Sequence, residues 1–460
     1  MITIAALLFS SSFEPIGLWF LAPIGFAFFF KKLEGTKKPI YASFIFALIS
    51  QSIILHWSGK YVGLFPWALL SLLQALFYIP VGIIYSRTRN LWFVAATILL
   101  ADEIKSRFPF GGFGWTRIGF SQADSAYLNL VSLGGVAALS VVVLIFAIFF
   151  AHPSFGKIMA VLLICTLPIG FNAPFATDKN LEVAGVQGNT PKMGLDFNDR
   201  AEAVFNMHLQ KTAEIKVPLD LIVWPENASD IDPYLTSGVM DKLQEMSRVK
   251  GAPILIGAVL RSGNTPTNAS ILLDAQSTQS TYIKQHLTPF GEYIPLRKIA
   301  EFISPYASSV TDFSPGKSYI VHKIGNFSIG PIICYEIIDD RLVRLAATKS
   351  DALVVQTNSA TFAGTSESAQ QLNITRIRAA EHNREILSVS TVGISALIDN
   401  NGKVITRSKE NVSSIIYGTL HENRNQTLSD RLQGHGWVLI ACALILIGVI
   451  SRRLTGRYRR

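Results

Sequence analysis

Apolar residues dominate the chain up to residue 173, with only short polar interruptions. A helix needs about 20 apolar residues to cross the hydrocarbon core of a bilayer. The apolar pattern predicts membrane-spanning helices at 15–30, 40–56, 62–85, 91–106, 126–150 and 157–173, and one more at 435–451. The stretch from Met1 to Ser12 is short and has no preceding basic segment, so it predicts a short first helix and not a cleaved signal peptide. Depending on whether this helix spans, the sequence predicts a bundle of seven to eight transmembrane helices.

Lysine and arginine in short loops indicate the orientation of such a bundle, because they favour the cytoplasmic side. Strict alternation of the spans places four basic groups on one side: Lys31 to Lys38, Arg87 with Arg89, Lys157, and the arginines of the C-terminal tail. Lys105, Arg107 and Arg117 fall on the other side and weaken the pattern. The long region between 173 and 435 is therefore predicted to lie on the extracytoplasmic face of the cytoplasmic (inner) membrane.

Residues 180–425 have a different pattern, in which short β-branched runs alternate with helical segments. The predicted strands are Leu181–Gln187, Leu221–Trp224, Pro253–Leu260, Ala269–Leu273, Ser328–Cys334, Ala352–Thr357 and Ile386–Ile398. The predicted helices lie near 198–215, 236–249, 338–349 and 367–383. This alternation favours a layered α/β fold. We therefore expect three parts: a membrane bundle at 1–173, an α/β domain at 180–425 and a last transmembrane helix at 435–451.

Composition agrees with a membrane protein that carries one polar domain. Of 460 residues, 49% are hydrophobic and 16% are charged, and the mean hydropathy is +0.35. Soluble domains carry about 25% charged residues. The net charge of +9 is spread over loops and tail, which excludes a basic nucleic-acid-binding face. Cys165 and Cys442 lie in apolar runs, so Cys334 is the one cysteine of the polar domain and no disulfide framework is expected.

Two apolar runs of the α/β domain lead into residues that suit acid–base and nucleophilic chemistry. Leu221–Trp224 is followed by Pro225, which cannot donate to a sheet ladder, and then by Glu226. Desolvation would raise the pKa of this carboxyl and suit a general base, although an exposed loop glutamate fits the segment equally. Ile329–Ile333 leads to Cys334. A nucleophile at a strand end can use backbone N–H groups as an oxyanion hole, although a buried structural cysteine has the same pattern.

Lys284 follows a third run and can stabilise an oxyanion as a fixed positive charge, or can be a surface lysine. Glu292, eight residues later, is a candidate partner for it. A Cys–His enzyme is the competing arrangement, for which the available histidines are His208, His286, His322, His382 and His435. None lies in a recognisable cysteine-protease signature, and no metal-binding motif is present in the sequence.

Several motifs, taken in order, resemble the carbon–nitrogen hydrolase (nitrilase) superfamily with its Glu–Lys–Cys triad. They are Val186-Gln187-Gly188-Asn189, Trp224-Pro225-Glu226, Lys284-x-His286-Leu287-x-Pro289-Phe290-Gly291-Glu292, Ile333-Cys334-Tyr335-Glu336 and Arg376-x-Arg378-Ala379-x-Glu381. With the membrane spans and the loops Gly112-Phe113-Gly114-Trp115 and Gly119-Phe120-Ser121-Gln122, nearly the whole chain resembles the apolipoprotein N-acyltransferase family.

The resemblance implies a nitrilase-like αββα sandwich outside the membrane, set on the helix bundle. It implies that Glu226 is the general base, that Lys284 stabilises the oxyanion and that Cys334 forms a thioester, with Glu292, Tyr335 and Glu336 in support. It further implies an acyl donor that is a phospholipid, typically phosphatidylethanolamine, and an acceptor that is the N-terminal diacylglyceryl-cysteine of an apolipoprotein. No cofactor and no metal are implied, and we expect a monomer.

Two segments depart from the common family pattern. Gly194-Leu195-Asp196-Phe197 lacks a tryptophan that many members carry, and Asn358-Ser359-Ala360-Thr361-Phe362-Ala363 replaces Asn-Asp-Ala-Trp-Phe-Gly. These changes leave the triad intact and affect the expected acyl-chain and headgroup contacts. The aromatic residues Phe108, Phe110, Phe113 and Trp115 are expected to line an opening to the bilayer or to form an interfacial belt.

Two other functions remain open from the sequence. A membrane-anchored C–N hydrolase (amidase or nitrilase) would use the same triad, but it would need only one anchor. A non-catalytic scaffold would have no need of Glu226, Lys284 and Cys334 together.

Overall fold

The computed structural model describes residues 1–60, 63–166, 179–191, 202–263, 265–298, 301, 311–432 and 440–443. These residues fall into two compact units. Unit 1 contains the described residues up to 166 and those from 427 onward, and unit 2 contains those from 179 to 426.

Unit 1 is helical throughout its described elements. Its helices are α1 Ile2–Ser10, α2 Leu21–Glu34, α3 Pro39–Ile54, α4 Leu64–Leu76, α5 Ile79–Thr88, α6 Leu91–Lys105, α7 Val131–Ala151 and α8 Phe155–Thr166, with short 3-10 turns at His56–Gly59, Ile118–Gln122 and Leu128–Leu130. A helix therefore occupies each of the first six predicted segments, and α1 follows the prediction for the first residues. The predicted segment 435–451 lies outside the described residues except for 440–443.

Length and composition alone qualify two helical stretches of the described chain as able to cross a membrane. They are Leu64–Thr88, which contains α4 and α5, and Leu128–Ala151, which contains α7. The apolar helices Pro39–Ile54 and Phe155–Thr166 are shorter. The remaining predicted spans stay predictions.

Glycines allow the helices of unit 1 to approach closely. A Cβ on Gly25 would lie 2.6 Å from the Phe9 nitrogen, so α2 packs directly on the backbone of α1. A Cβ on Gly82 would lie 2.4 Å from the Ile40 Cα, which joins α5 to α3 in the same way. Helices α2 and α3 also contact each other through the stacked rings of Phe29 and Phe46, whose centroids are 4.3 Å apart.

At the end of α6 and in the loop after it, two basic residues and one aromatic residue are buried. Lys105 and Arg117 are buried, because Lys105 Nζ pairs with Asp102 Oδ1 at 2.7 Å and Arg117 Nη2 with Glu103 Oε1 at 2.5 Å. They are neutralised inside unit 1 and are not free loop charges. Trp115 is only 3% exposed and packs on Trp57, with ring centroids 5.1 Å apart, so it does not line an opening. Phe108 and Phe110 are exposed.

Unit 2 is an α/β structure with twelve strands among its described residues. The strands are β1 Asn180–Gln187, β2 Leu221–Val223, β3 Ile254–Ser262, β4 Thr265–Leu273, β5 Thr278–Ile283, β6 His322–Ile324, β7 Phe327–Ile333, β8 Ala352–Thr357, β9 Ile386–Ser390, β10 Ala396–Ile398, β11 Val404–Arg407 and β12 Ser414–His421. The helices are α9 Ala203–Ala213, α10 Val239–Lys250, α11 Asp340–Lys349 and α12 Glu367–His382, and α13 Leu428–Leu432 belongs to unit 1.

The strands form two six-stranded sheets, ordered β12-β1-β2-β3-β4-β5 and β11-β10-β9-β8-β7-β6. In the first sheet β1, β2 and β3 are parallel, and in the second β7, β8 and β9 are parallel. Parallel neighbours need long crossovers, and these are supplied by α9 and α10 in the first sheet and by α11 and α12 in the second. The C-terminal ends of β2 and β7 therefore each open onto a loop.

Apolar side chains fix the order of the layers. One cluster, which includes Val183, Val223, Val354 and Val389, lies between the two sheets. A second cluster joins the outer face of the first sheet to Phe205 of α9 and to Val239 and Leu243 of α10. With α11 and α12 against the second sheet, the predicted αββα sandwich is confirmed.

The strand prediction is wrong at two kinds of position. The predicted strand Ile386–Ile398 is two antiparallel strands, β9 and β10, because the chain turns between them and Ser395 Oγ accepts a hydrogen bond from the Ser390 nitrogen at 2.9 Å. The edge strands β5, β6, β11 and β12 were not predicted, since half-exposed edge positions carry polar residues that hide the pattern.

Candidate active site

Glu226 lies in the loop after β2, held by large buried neighbours. Trp224 is fully buried and donates from Nε1 to Thr212 Oγ1 at 2.9 Å. Gly257 of the adjacent strand leaves room for the turn, because a Cβ there would lie 2.3 Å from the Pro225 oxygen. Glu226 is 5% exposed, and its Oε1 accepts hydrogen bonds from Asn268 at 2.7 Å and Lys284 at 3.2 Å. Burial raises the pKa of Glu226, and Lys284 only partly opposes the rise.

Lys284, directly after β5, is 1% exposed and lies between two carboxylates. Its Nζ is 3.2 Å from Glu226 Oε1 and 2.8 Å from Glu292 Oε2. Burial lowers the pKa of Lys284, but the two carboxylates more than offset this, so its pKa is raised and it carries a permanent positive charge.

Glu292 completes this charged cluster. It receives hydrogen bonds from Asn268 Nδ2 at 2.8 Å and from the Thr288 nitrogen at 2.7 Å. Burial would raise the pKa of Glu292, yet Lys284 and these donors hold it below its usual value. Glu292 is therefore an ionised partner that holds Lys284 in place, whereas Glu226 is the carboxyl whose raised pKa suits it to accept and release a proton.

Cys334 directly follows β7, at the end of the second sheet. Its φ of +49° is in the left-handed region, a strained conformation for a residue with a side chain. Residue Cys334 is partly exposed, its thiol interacts with the Glu226 carboxyl, and Gln371 Nε2 approaches Cys334 Sγ to 3.8 Å. Burial and the neighbouring Glu226 charge raise the pKa of Cys334 well above its usual value. The thiol is therefore protonated at neutral pH, with the proton-accepting group beside it.

Glu336 fixes the loops that carry Lys284 and Cys334. Its Oε1 accepts from Tyr282 Oη at 2.7 Å, from the Gln285 nitrogen at 2.7 Å and from the His286 nitrogen at 3.2 Å. Its Oε2 accepts from the Ile333 nitrogen at 2.9 Å. One buried carboxyl therefore ties the residues after Lys284 to the residue before Cys334.

Two further hydrogen bonds join the two sheets at the site. Gln356 of β8 donates from Nε2 to the Trp224 oxygen at 2.7 Å, and Thr391 donates from Oγ1 to the Glu226 oxygen at 3.1 Å. Arg378 of α12 donates to the Ile337 oxygen at 2.9 Å and so supports the turn after the nucleophile. Tyr335 is buried, and its ring packs edge-on against His286 with centroids 5.3 Å apart.

The histidine and metal alternatives find no support among the described residues. His286 pairs with Asp339 at 2.9 Å, and His208 and His322 are buried with pKa values lowered by desolvation to about 4 and about 3. Within the part of the chain that the structure describes, no group of three His, Cys, Asp or Glu side chains is placed to hold a metal ion. His435 and the segment Gly194 to Phe197 lie outside the described residues.

The structure thus brings Glu226, Lys284, Glu292 and Cys334 into one cluster, and it adds three residues that sequence reasoning missed. Asn268 bridges Glu226 and Glu292, Gln371 approaches the thiol, and Glu367 is buried nearby. Glu367 and Gln371 lie on α12, the helix that contains the motif Arg376-x-Arg378-Ala379-x-Glu381, but the motif does not include their positions. Asn268 directly precedes the predicted strand Ala269–Leu273, and no sequence pattern marks it.

Comparison with known proteins identifies the chain. The carbon–nitrogen hydrolase family model matches residues 182–428, so unit 2 is a carbon–nitrogen hydrolase domain. The model "Apolipoprotein N-acyltransferase N-terminal domain" matches residues 5–149. The apolipoprotein N-acyltransferase of Mycolicibacterium smegmatis is 32% identical over 453 residues, covering 86% of this chain and 75% of that protein. The chain belongs to the apolipoprotein N-acyltransferase family.

Other similarities are more distant. The apolipoprotein N-acyltransferase of Azotobacter vinelandii is 28% identical over 356 residues, covering 73% of this chain and 68% of that protein. Among solved structures, an amidase from Nesterenkonia sp. is 15% identical, with a TM-score of 0.44, and covers 57% of this chain and 98% of that one.

Proposed function

We propose that this acyltransferase moves a fatty acyl chain from a membrane phospholipid to the α-amino group of the N-terminal diacylglyceryl-cysteine of lipoproteins. The observation that carries the proposal is the cluster of Cys334, Glu226 and Lys284: the thiol interacts with Glu226, a buried carboxyl whose pKa is raised, and Lys284 Nζ lies 3.2 Å from Glu226 Oε1. A nucleophile, a base and a fixed cation in one site are the parts that acyl transfer requires.

In the first half-reaction, Glu226 takes the thiol proton as Cys334 Sγ attacks the donor ester. Lys284 stabilises the negative charge on the carbonyl oxygen. As the intermediate collapses, Glu226 gives its proton to the leaving alkoxide, which releases a lysophospholipid and leaves a thioester. In the second half-reaction the acceptor amine attacks the thioester, Glu226 takes a proton from the amine nitrogen, the C–S bond breaks, and Glu226 passes that proton to the sulfur. Glu292, Tyr335 and Glu336 position these groups, as their contacts support.

The membrane arrangement we propose has seven to eight spans, with the catalytic domain on the extracytoplasmic face. Contacts within unit 1 support it: Lys31 Nζ is 3.4 Å from His152 Nδ1, and Glu34 Oε1 is 2.7 Å from His152 Nε2. The basic loops after α2 and α7 therefore lie at the same end of unit 1, as strict alternation of the spans requires. We further propose phosphatidylethanolamine as the donor and a monomeric enzyme.

A membrane-anchored amidase is the alternative that the same triad allows. The match of residues 5–149 to an acyltransferase N-terminal domain and the acyltransferase names of the relatives favour acyl transfer.

Mass spectrometry of lipoprotein N-termini tests the proposal in a host that lacks its own N-acyltransferase. The unaltered chain and Cys165→Ala, a matched cysteine change in unit 1, are expected to add a third acyl chain, and Cys334→Ala is expected to add none. Diacyl N-termini with the unaltered chain, despite its confirmed presence in the membrane and a supplied donor lipid, would favour the amidase.

A further inference from the structure

Glu367 is a buried carboxyl near Cys334 for which the mechanism above has no use. It is the first residue of α12, one turn before Gln371, and it is 3% exposed. It acts electrostatically on both the Cys334 thiol and the Glu226 carboxyl. Glu367 therefore belongs to the same site as the thiol.

One oxygen of this carboxyl has no hydrogen-bond partner. Within the described residues, buried Glu367 Oε2 makes no hydrogen bond of ordinary geometry, and the nearby Ser359 Oγ makes none either. An unpaired buried polar atom costs about 1–3 kcal/mol, so its retention calls for an explanation such as use by a ligand. The neighbouring hydroxyl is that of Ser359, which lowers the pKa of Glu367, but burial together with Glu410 and Glu226 raises it to about 8.

The charges of the site favour a cationic ligand for Glu367. Lys284 is the cation of the triad, and it is already engaged by Glu226 and Glu292. The charged side chains that act on Glu367 are Glu226 and Glu410, both acidic, and in the described structure no lysine or arginine pairs with it. A ligand carrying a primary ammonium group would donate the hydrogen bond that Oε2 lacks and would stabilise the ionised form of Glu367 against its acidic neighbours.

A primary ammonium can reach this site from two sources, the acceptor's α-amine or the ethanolamine headgroup of the donor. The position near Cys334 favours the acceptor, because its nitrogen must approach the thioester carbon, whereas a headgroup lies several bonds from the reacting ester. An α-amine has a pKa of about 7.7–8.0 and arrives mostly protonated at pH 7. A proton acceptor of closely matched pKa can take its proton at little cost.

We infer that Glu367 binds the protonated α-amine of the acceptor and removes one proton from it, which prepares the neutral amine that attacks the Cys334 thioester. The inference rests on the proposed function. The ammonium gives one proton to the Glu367 carboxylate, and the free amine forms the C–N bond. The C–S bond then breaks, and the second nitrogen proton passes through Glu226 to the sulfur. The products are an amide, the thiol and a protonated Glu367, which loses its proton to solvent.

The test measures the two half-reactions separately on the purified full-length enzyme. Thioester formation is followed by lysophospholipid release and by the mass of Cys334, with phosphatidylethanolamine or phosphatidylglycerol as donor. Transfer is followed with a synthetic diacylglyceryl-cysteinyl peptide. The variant is Glu367→Gln, which keeps the shape but cannot take a proton. The matched control is Glu385→Gln, a buried glutamate that precedes β9 and pairs with His421.

We expect Glu367→Gln to form the thioester from both donors at the normal rate and to transfer the acyl chain about 100-fold more slowly at pH 7. The deficit should shrink as the pH rises above 8, because bulk solvent then supplies neutral amine. Hydroxylamine, which is already neutral at pH 7, should discharge the thioester of both enzymes equally. Glu385→Gln should be normal in every assay.

Three results would overturn the inference: unchanged transfer, a deficit that is the same at every pH, or slower thioester formation from phosphatidylethanolamine alone, which would assign the ammonium to the headgroup. If Glu367→Gln does not fold, Glu367→Asp replaces it and should slow transfer but not thioester formation. Failure of the unaltered enzyme to form any thioester would instead reject the proposed function.

Discussion

Asn268 Nδ2 lies 2.7 Å from Glu226 Oε1 and 2.8 Å from Glu292 Oε1, so one amide group orients both carboxylates that contact Lys284. Two like-charged groups can remain this close only where donors and a cation lie between them. The position of Glu226 beside the thiol therefore depends on a residue that takes no direct part in the proposed chemistry.

Asn268→Leu, which keeps the size but removes both donors, should lower the free energy of unfolding by about 2–4 kcal/mol. It should also raise the pKa of Glu226 further, since the Asn268 hydrogen bond lowers it. The acid limb of the pH profile for thioester formation should then move to higher pH. Asn401→Leu, in an exposed turn, is the control. An unchanged profile would show that Asn268 does not tune the base.

The raised pKa of Cys334 predicts slow reaction with simple electrophiles. In a Cys165→Ser, Cys442→Ser background, iodoacetamide should modify Cys334 slowly at pH 7, and the rate should rise with pH beyond 9. Because Lys284 lowers the pKa of the thiol, Lys284→Met should slow modification about tenfold, and the exposed Lys349→Met should not. If iodoacetamide modified Cys334 faster in Lys284→Met, Lys284 would not be lowering the pKa of the thiol.

Glu336 should contribute more to stability than any one of its four donors. Glu336→Gln places an N–H group against donors and should lower the free energy of unfolding by about 2–5 kcal/mol, with loss of thioester formation. Tyr282→Phe removes one donor and should cost about 1 kcal/mol. Chemical unfolding followed by tryptophan fluorescence measures both. Equal losses for the two variants would mean that the backbone donors contribute nothing.

Asp351 should make stability depend on pH in acid. Burial would raise its pKa, but hydrogen bonds from Arg424 and Ser328 outweigh this and hold the pKa below its usual value. A depressed folded pKa gives stability that is present above the unfolded pKa of about 3.9 and is lost as the pH falls through the folded value. Asp351→Asn should therefore destabilise by about 1–3 kcal/mol at pH 7, and this loss should shrink as the pH falls below about 3.9.

The control for Asp351 is the exposed Asp241 of α10, where Asp241→Asn should change stability by less than about 0.5 kcal/mol. A destabilisation of Asp351→Asn that does not shrink at any pH below about 3.9 would point to lost packing and not to the charge.

The sequence predicted the residues that end apolar runs and missed those whose partners are distant along the chain. Glu226 and Cys334 follow the buried strands β2 and β7, so periodicity marks them, whereas Lys284 follows the half-exposed edge strand β5. Asn268 meets Glu226 and Glu292 only because β4 lies beside β3 and β5, a pairing that composition does not encode. Glu367 lies in Gly364-Thr365-Ser366-Glu367-Ser368, a polar segment typical of an exposed helix start, yet it is 3% exposed.

The sequence of unit 1 shows the opposite limitation. Hydropathy placed helices in the correct segments, but it could not show that Lys105 and Arg117 are paired with Asp102 and Glu103 inside unit 1. Predicting orientation from the Lys and Arg residues of loops assumes that none of them is paired with an acidic side chain. The sequence positions alone do not show which basic residues form such pairs.

The base and the nucleophile come from different sheets, with Glu226 and Lys284 on the first and Cys334 on the second. The Gln356 and Thr391 hydrogen bonds form only when those sheets have closed on each other. While the chain is being synthesised and folded, Cys334 therefore has neither its proton acceptor nor its neighbouring cation. Its thiol gains the base and the cation that make it a nucleophile only through the packing of the two sheets.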